Sequence, residues 1–126
     1  ERGLKLIKDM KKLFPLSKIH FSSNLSEALV NCSILVNCSS LGMSGQPKLK
    51  INIENMNKDS IVYDIVYTPL VTELLHDAKR LNYTAIDGLG MLLNQAVPAF
   101  EMWHHRKVTV SESLKKIALA HLEGAK

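Results

Sequence analysis

The sequence predicts an α/β chain: a parallel sheet with helices on its faces. Two observations lead there. Short apolar runs at residues 34–36, 60–66 and 84–86 have the length and β-branched character of strands. Segments with apolar residues three and four apart stand between and around them, as amphipathic helices do. The order is α-β-α-β-loop-β-α-β-α-α, with no internal repeat and no low-complexity linker.

Each element has its own warrant. Residues 1–14 form a helix whose stripe is Leu4, Ile7, Met10 and Leu13/Phe14, ended by Pro15. Residues 18–21 alternate, Ile19 and Phe21 against Lys18 and His20, and predict a short strand. Asn24 or Ser23 caps a helix to about Asn31, and Glu27 completes a capping-box spacing with Asn24. Ile34-Leu35-Val36 is a run of the kind found in strands buried on both faces. Residues 37–47 are small, polar and turn-prone, hence a long loop. It leaves the carboxyl end of a strand, where open α/β sheets place ligands. Residues 48–56 have room for a short helical turn. The strand at 60–66 runs into Tyr67-Thr68-Pro69, with Pro69 near the first turn of a helix whose stripe is Leu70, Leu74, Leu75 and Ala78. After the strand at 84–86, a helix runs to about His104, with Leu89, Leu92, Leu93, Ala96, Phe100 and Trp103 at helical spacing along it. Pro98 removes one of its ladder bonds. Ser111 or Thr109 caps a last helix bearing Leu114, Ile117, Ala118 and His121.

Composition excludes several classes of function. The 126 residues fit one domain, with 46% hydrophobic and 22% charged content ordinary for a globular protein. No apolar run reaches the roughly 20 residues of a membrane span, and Glu1-Arg2 followed by an amphipathic pattern is no secretory signal. No membrane partner is expected. The formal net charge is +4. Lys5, Lys8, Lys11 and Lys12 supply much of the excess, but no aromatic residues interleave with them, so they read as a solvated face and not a nucleic-acid surface. The two cysteines, Cys32 and Cys38, match no zinc spacing and read as free thiols of a reducing cytoplasm, Cys38 as a small buried residue. His104 and His105 are adjacent, about 100° apart on a helix, and no metal site is expected.

Chemistry concentrates in Asp87-Gly88-Leu89-Gly90-Met91-Leu92-Leu93-Asn94-Gln95. A strand feeds an acid and two glycines, and a helix follows. Glycine admits close backbone approach, a helix N-terminus offers unpaired N–H groups, and Gln95 carries a donor and an acceptor. The same pattern also describes a plain strand-to-helix turn, with Asp87 its turn acid.

Three blocks taken together go further: Asn37-Cys38-Ser39-Ser40-Leu41-Gly42-Met43, Tyr63-Asp64-Ile65-Val66-Tyr67-Thr68-Pro69-Leu70, and Asp87 through Gln95 continued by Ala96-Val97-Pro98-Ala99-Phe100-Glu101-Met102-Trp103. In order and spacing they resemble the C-terminal half of shikimate dehydrogenase. The resemblance implies NADP-dependent interconversion of shikimate and 3-dehydroshikimate in aromatic amino-acid (chorismate) biosynthesis, in the cytoplasm. It implies a Rossmann-like domain over residues 1–126, with sheet and helices in 1–104 and a C-terminal helix in 105–126 that packs back toward an N-terminal domain. By position, Ile65 and Gly88 match residues whose backbone holds the nicotinamide carboxamide, and Met91 packs near that ring. Asn37, Cys38 and Ser39 match the loop along the cofactor. Arg2 matches the last basic residue of a motif gripping the 2′-phosphate, a task that suits a guanidinium. Tyr67 and Gln95 match side chains that reach the substrate. Without the resemblance, Tyr63 is a sheet side chain, Asp64 a brace of the following turn, Tyr67 a surface-packed aromatic, and Phe100 and Trp103 core.

The resemblance also implies what these 126 residues do not carry. The family's lysine and aspartate pair for proton transfer belongs to the N-terminal catalytic domain, so no catalytic residue is expected here. The Gly-rich phosphate loop and the first two Rossmann strands have no counterpart, and the chain alone is expected to be inactive. The strand at 18–21 would then stand across a gap roughly 14 Å wide. Either it pairs directly beside residues 34–36, or another copy of the chain completes the sheet. Two alternatives stand beside the leading reading: a quinate/shikimate dehydrogenase relative using NAD, and a catalytically silent binding or oligomerising module.

Overall fold

In the computed structural model, residues 2–124 are described. Residues 1, 125 and 126, the outermost positions of the expected first and last helices, lie outside them. The elements are α1 (Arg2–Leu13), α2 (Leu25–Ala28), β1 (Ile34–Asn37), β2 (Ile61–Asp64), α3 (Glu73–Arg80), β3 (Thr84–Ile86), α4 (Leu89–His104) and α5 (Glu112–Gly124). The three strands form one parallel sheet in the order β1-β2-β3. Asn37 and Asp64 are register partners at its carboxyl end, as are Tyr63 and Ile86.

Register explains which face is inside. Side chains alternate along a strand, so Leu35, Val62 and Ala85, which lie side by side, share one face. α3 covers that face. Its N-cap Thr72 accepts a hydrogen bond from Leu75 N, and its stripe Leu74, Leu75 and Ala78 is buried. The core adds Leu29, Ile53 and Met56, with Tyr83 packed against it and donating its hydroxyl to Ile53 O at 3.2 Å. Ile53 and Met56 come from the crossover between β1 and β2, which holds turns and no helical turn at 48–56.

Four expectations are corrected. Residues 18–21 are not a strand, and they do not pair beside β1. Alternation gave the period of a strand, but a strand exists only through a ladder, and among the described residues none offers this segment backbone partners. Phe21 instead lays its ring against Gly3 of α1. Second, β1 is not buried on both faces: Ile34 is 60% exposed, because the sheet face opposite α3 has little cover. Third, Trp103 is not core. It is 75% exposed, and Phe100 stacks at 4.3 Å on His104 of its own helix. Fourth, Cys38 is exposed at the start of the loop after β1.

Helix caps agree closely with the sequence reading. Asn24 accepts from Glu27 N, although α2 then stops at Ala28, and Ser111 Oγ accepts from Leu114 N at 3.2 Å ahead of α5. Pro69 lies before Thr72 and not within the helix. Among the described residues no helix is long and apolar enough to cross a membrane.

Candidate cofactor cleft

The carboxyl ends of all three strands point to one side of the sheet, and each ends in chemistry. β1 ends at Asn37, β2 at Asp64, and Asp87 follows β3. A cleft of about 350 Å³ opens there, lined by Cys38, Ser39, Ser40, Met43, Ile65, Val66, Tyr67, Thr68 and Met91. That volume lies in the range of small-molecule sites. Three separate segments build it: the loop after β1, the turn after β2, and the first turn of α4.

The two loop walls are tied to each other and to the sheet. Asn37 Nδ2 donates to Leu41 O at 3.1 Å and to Asp64 Oδ1 at 3.0 Å, while Asn37 Oδ1 accepts from Ser39 N and Ser39 Oγ. Asp64, fully buried, also accepts from Val66 N at 3.0 Å and Thr72 Oγ1 at 2.7 Å. Ser44 N donates to Thr68 O at 2.8 Å and joins the two walls directly. Asp64 therefore braces the turn after β2, as the sequence reading had it.

The third segment enters through Gly88. Asp87 Oδ1 accepts from Leu89 N at 3.0 Å, which makes Asp87 the turn acid at the head of α4. Gly88 N donates to Val66 O at 3.2 Å. A Cβ on Gly88 would overlap the Ile65 carbonyl and lie 2.8 Å from Val66 O. Its φ of −78° is open to any residue, so what demands glycine is contact between two backbones and not a left-handed turn. Gly90 is different, because nothing lies within 4 Å of a Cβ placed there.

The structure distributes the nine sequence-derived positions unevenly. Cys38, Ser39, Ile65, Tyr67 and Met91 line the cleft. Asn37 and Gly88 do not line it but touch residues that do, the first holding a wall and the second packed on Ile65. Gln95 is one helical turn past Met91 on α4, exposed and outside the lining residues. Arg2 is exposed at the start of α1 and also outside them. Ser40, Met43, Val66 and Thr68 complete the lining without having been singled out from sequence. All four fall inside or beside the recognised blocks, so position in those blocks was the available signal.

The lining suits a flat ring with an amide. Cys38, Met43, Ile65, Val66 and Met91 give apolar contact, and hydroxyls come from Ser39, Ser40, Tyr67 and Thr68. The tight seat of Gly88 fixes the Ile65 backbone at its edge.

Comparison with known proteins places the chain beside one family. Residues 88–111 match the family model described as Shikimate 5'-dehydrogenase C-terminal domain. The shikimate dehydrogenase (NADP(+)) of Methylobacterium radiotolerans is 46% identical over 101 residues, 80% of this chain and 36% of that protein. That of Sinorhizobium medicae is 40% identical over 104 residues, 82% of this chain and 36% of that protein. The chain thus spans about a third of the length of these curated relatives. In structure, the quinate dehydrogenase from Corynebacterium glutamicum in complex with NAD aligns with a TM-score of 0.68 at 29% identity, over 77% of this chain and 34% of that one. A shikimate dehydrogenase in complex with NADP+ aligns with a TM-score of 0.64 at 32% identity, over 71% of this chain and 32% of that one. The parallel sheet with its flanking helices is the Rossmann-like arrangement these two dehydrogenases share with the chain. By sequence and by fold, the chain matches the C-terminal segment of shikimate dehydrogenases.

Proposed function

We propose that this chain supplies the nicotinamide end of the cofactor site of an NADP-dependent shikimate dehydrogenase, working in the cytoplasm. The observation that carries the reading is the convergence of Cys38, Ser39, Ile65, Tyr67 and Met91 on one cleft at the carboxyl end of the sheet. NADP bound there would accept or donate the hydride. The residues of this chain would position the two reactants. The Ile65 and Gly88 backbones hold the carboxamide, Met91 covers the ring, and Asn37, Cys38 and Ser39 run along the cofactor. Tyr67 and Gln95 reach the shikimate, and Arg2 meets the 2′-phosphate. Proton transfer belongs to a lysine and aspartate pair of a catalytic domain that these 126 residues do not supply. Residues 1–104 would form the sheet-and-helix body and 105–126 the helix that packs back on that domain. Relatives more than twice as long support a two-domain context. A second copy completing the sheet beside β1 is the other route to a whole assembly.

Titration of the chain with NADPH by calorimetry tests the reading. A dissociation constant below about 1 mM, worth roughly 4 kcal/mol, is expected. No heat at millimolar cofactor would overturn it and favour the silent-module alternative. The same chain with shikimate and NADP is expected to give no turnover, since hydride transfer needs both reactants in near-attack geometry. The NAD-bound quinate dehydrogenase among its structural relatives favours one second reading, an NAD-using relative. Tighter binding of NADH than of NADPH would select it.

A further inference from the structure

Asp64 poses a problem that the cofactor reading does not solve. It is a fully buried carboxylate, and no cation pairs with it among the described residues. Such a group is costly unless donors meet its oxygens. Three neutral donors do so, and each comes from a different segment. Asn37 Nδ2 arrives at 3.0 Å from the end of β1, Val66 N at 3.0 Å from the turn after β2, and Thr72 Oγ1 at 2.7 Å from the N-cap of α3. Capping α3 requires only Thr72, and a sheet interior is served as well by an apolar side chain. Neither need accounts for a carboxylate that joins three segments.

We propose that Asp64 is the positioning residue of the cleft, a clamp that sets the distance between its two loop walls. One arm runs through Asn37, whose amide holds Ser39 and Leu41 in the first wall. The second arm takes Val66 N and fixes the turn that presents Ile65 and Tyr67. The third anchors the clamp to α3 through Thr72, so the cleft is referenced to the rigid core. Asp64 does not line the cleft and acts only through these neighbours. The identity of the ligand rests on the cofactor reading above, but the clamp itself does not.

Amide hydrogen exchange on the 126-residue chain tests it, with Asp64→Asn, Thr72→Val and Thr72→Ser compared with the unaltered protein. Asp64→Asn replaces one acceptor oxygen by a donor. Exchange at Ser39, Leu41 and Val66 is expected to rise about tenfold, while Val62 and Ala78 change far less. Thr72→Val removes one arm in a nearly isosteric way, along with the cap on Leu75 N, so exchange at Leu75 is set aside, and the variant remains informative at the walls if Asp64→Asn does not fold. It is expected to loosen the same amides, and Thr72→Ser, which keeps the hydroxyl, to restore them. A rise spread evenly over core and cleft, or no change at the walls, overturns the clamp. NADPH titration of the same set is expected to weaken by roughly tenfold for Asp64→Asn and Thr72→Val but not for Thr72→Ser. If the unaltered chain takes up no NADPH, the cofactor reading falls, and the exchange pattern alone decides the clamp.

Discussion

α3 and α4 are two helices of one chain with opposite fates. α3 is 8 residues long and buries three side chains, Leu74, Leu75 and Ala78. α4 is 16 residues long, carries a longer apolar sequence, and buries only Leu89. The difference lies in where each helix runs. α3 connects β2 to β3 and packs on both strands, so its stripe meets Val62 and the residues beside it. α4 leaves the sheet edge after β3, and beyond its first turn its apolar residues meet mainly the segment 108–114, around a groove of about 290 Å³. Burial follows from connection between parallel neighbours more than from apolar content. A parallel sheet is normally covered on both faces. Here the face bearing Ile34, Val36 and Ile86 and the outer side of α4 remain the uncovered half of the protein.

The sharpest test sets one residue of each half against the other. Leu75→Ala should cost about 2–5 kcal/mol of folding stability by urea unfolding, the usual range for truncating a packed leucine. Trp103→Ala should change stability by no more than about 0.5 kcal/mol, as exposed positions do. A Trp103→Ala cost comparable to that of Leu75→Ala would break the comparison. It would mean that the outer side of α4 is covered in solution by another copy.

A second test separates the two glycines at the head of α4. Gly88→Ala should destabilise by about 1–3 kcal/mol, because its methyl group would push into the Ile65–Val66 backbone, which has no flexible end to yield. Gly90→Ala, with open space around it, should be neutral or stabilise by up to about 1 kcal/mol through helix propensity. Thermal melts of the two variants moving in the same direction would show that the contact at Gly88 does not constrain the fold.

These two halves also mark how far the sequence could be read. Local signals carried well: the caps Asn24 and Ser111, the buried stripe of α3, the turn acid Asp87, and Asp64 bracing its turn each depend on residues close by in the chain. The alternation at 18–21 did not carry, because a strand is a relation between two segments and only one of them was visible. Trp103 sits at the right spacing for packing, but spacing names a stripe and not what lies against it. Cys38 was read as buried from residue type, whereas its place just past β1 puts it at the mouth of the cleft. The cap Thr72 was missed although the signal was present, a threonine before an acidic first turn and an apolar stripe. Five of the nine site positions line one cleft because motif order carries spatial order once the topology is right. Gln95 lies outside that lining because it sits a turn farther along α4, and Arg2, at the start of α1, lies outside it as well.

The smallest expected effect probes that uncovered half on its own terms. Past the end of α4 the chain turns through His105, which is left-handed with a φ of 51°, and Glu101 ties the turn back to the helix. Its carboxylate accepts from Lys107 Nζ at 2.8 Å and from Val108 N at 3.1 Å. The Lys107 hydrogen bond, and then the Val108 amide, hold the Glu101 carboxyl below its ordinary range, and the same pair raises Lys107. The sign follows by linkage. For Glu101, whose folded value is lowered, the stabilisation is present above the ordinary glutamate value of about 4.3 and fades as pH falls through the folded value. For Lys107 it is present below the ordinary lysine value of about 10.4 and is lost as pH rises through the raised one. Both contributions are therefore complete at neutral pH. Lys107 is 94% exposed, so solvent and salt screen the pair and global unfolding should hardly register its loss. Carboxyl-detected NMR should place the Glu101 midpoint below that of an ordinary glutamate. Lys107→Met should move it upward but not all the way, because the Val108 amide remains. A midpoint already at the ordinary value would mean that the turn after α4 is not held to the helix, leaving the uncovered half with less internal order than its hydrogen bonds imply.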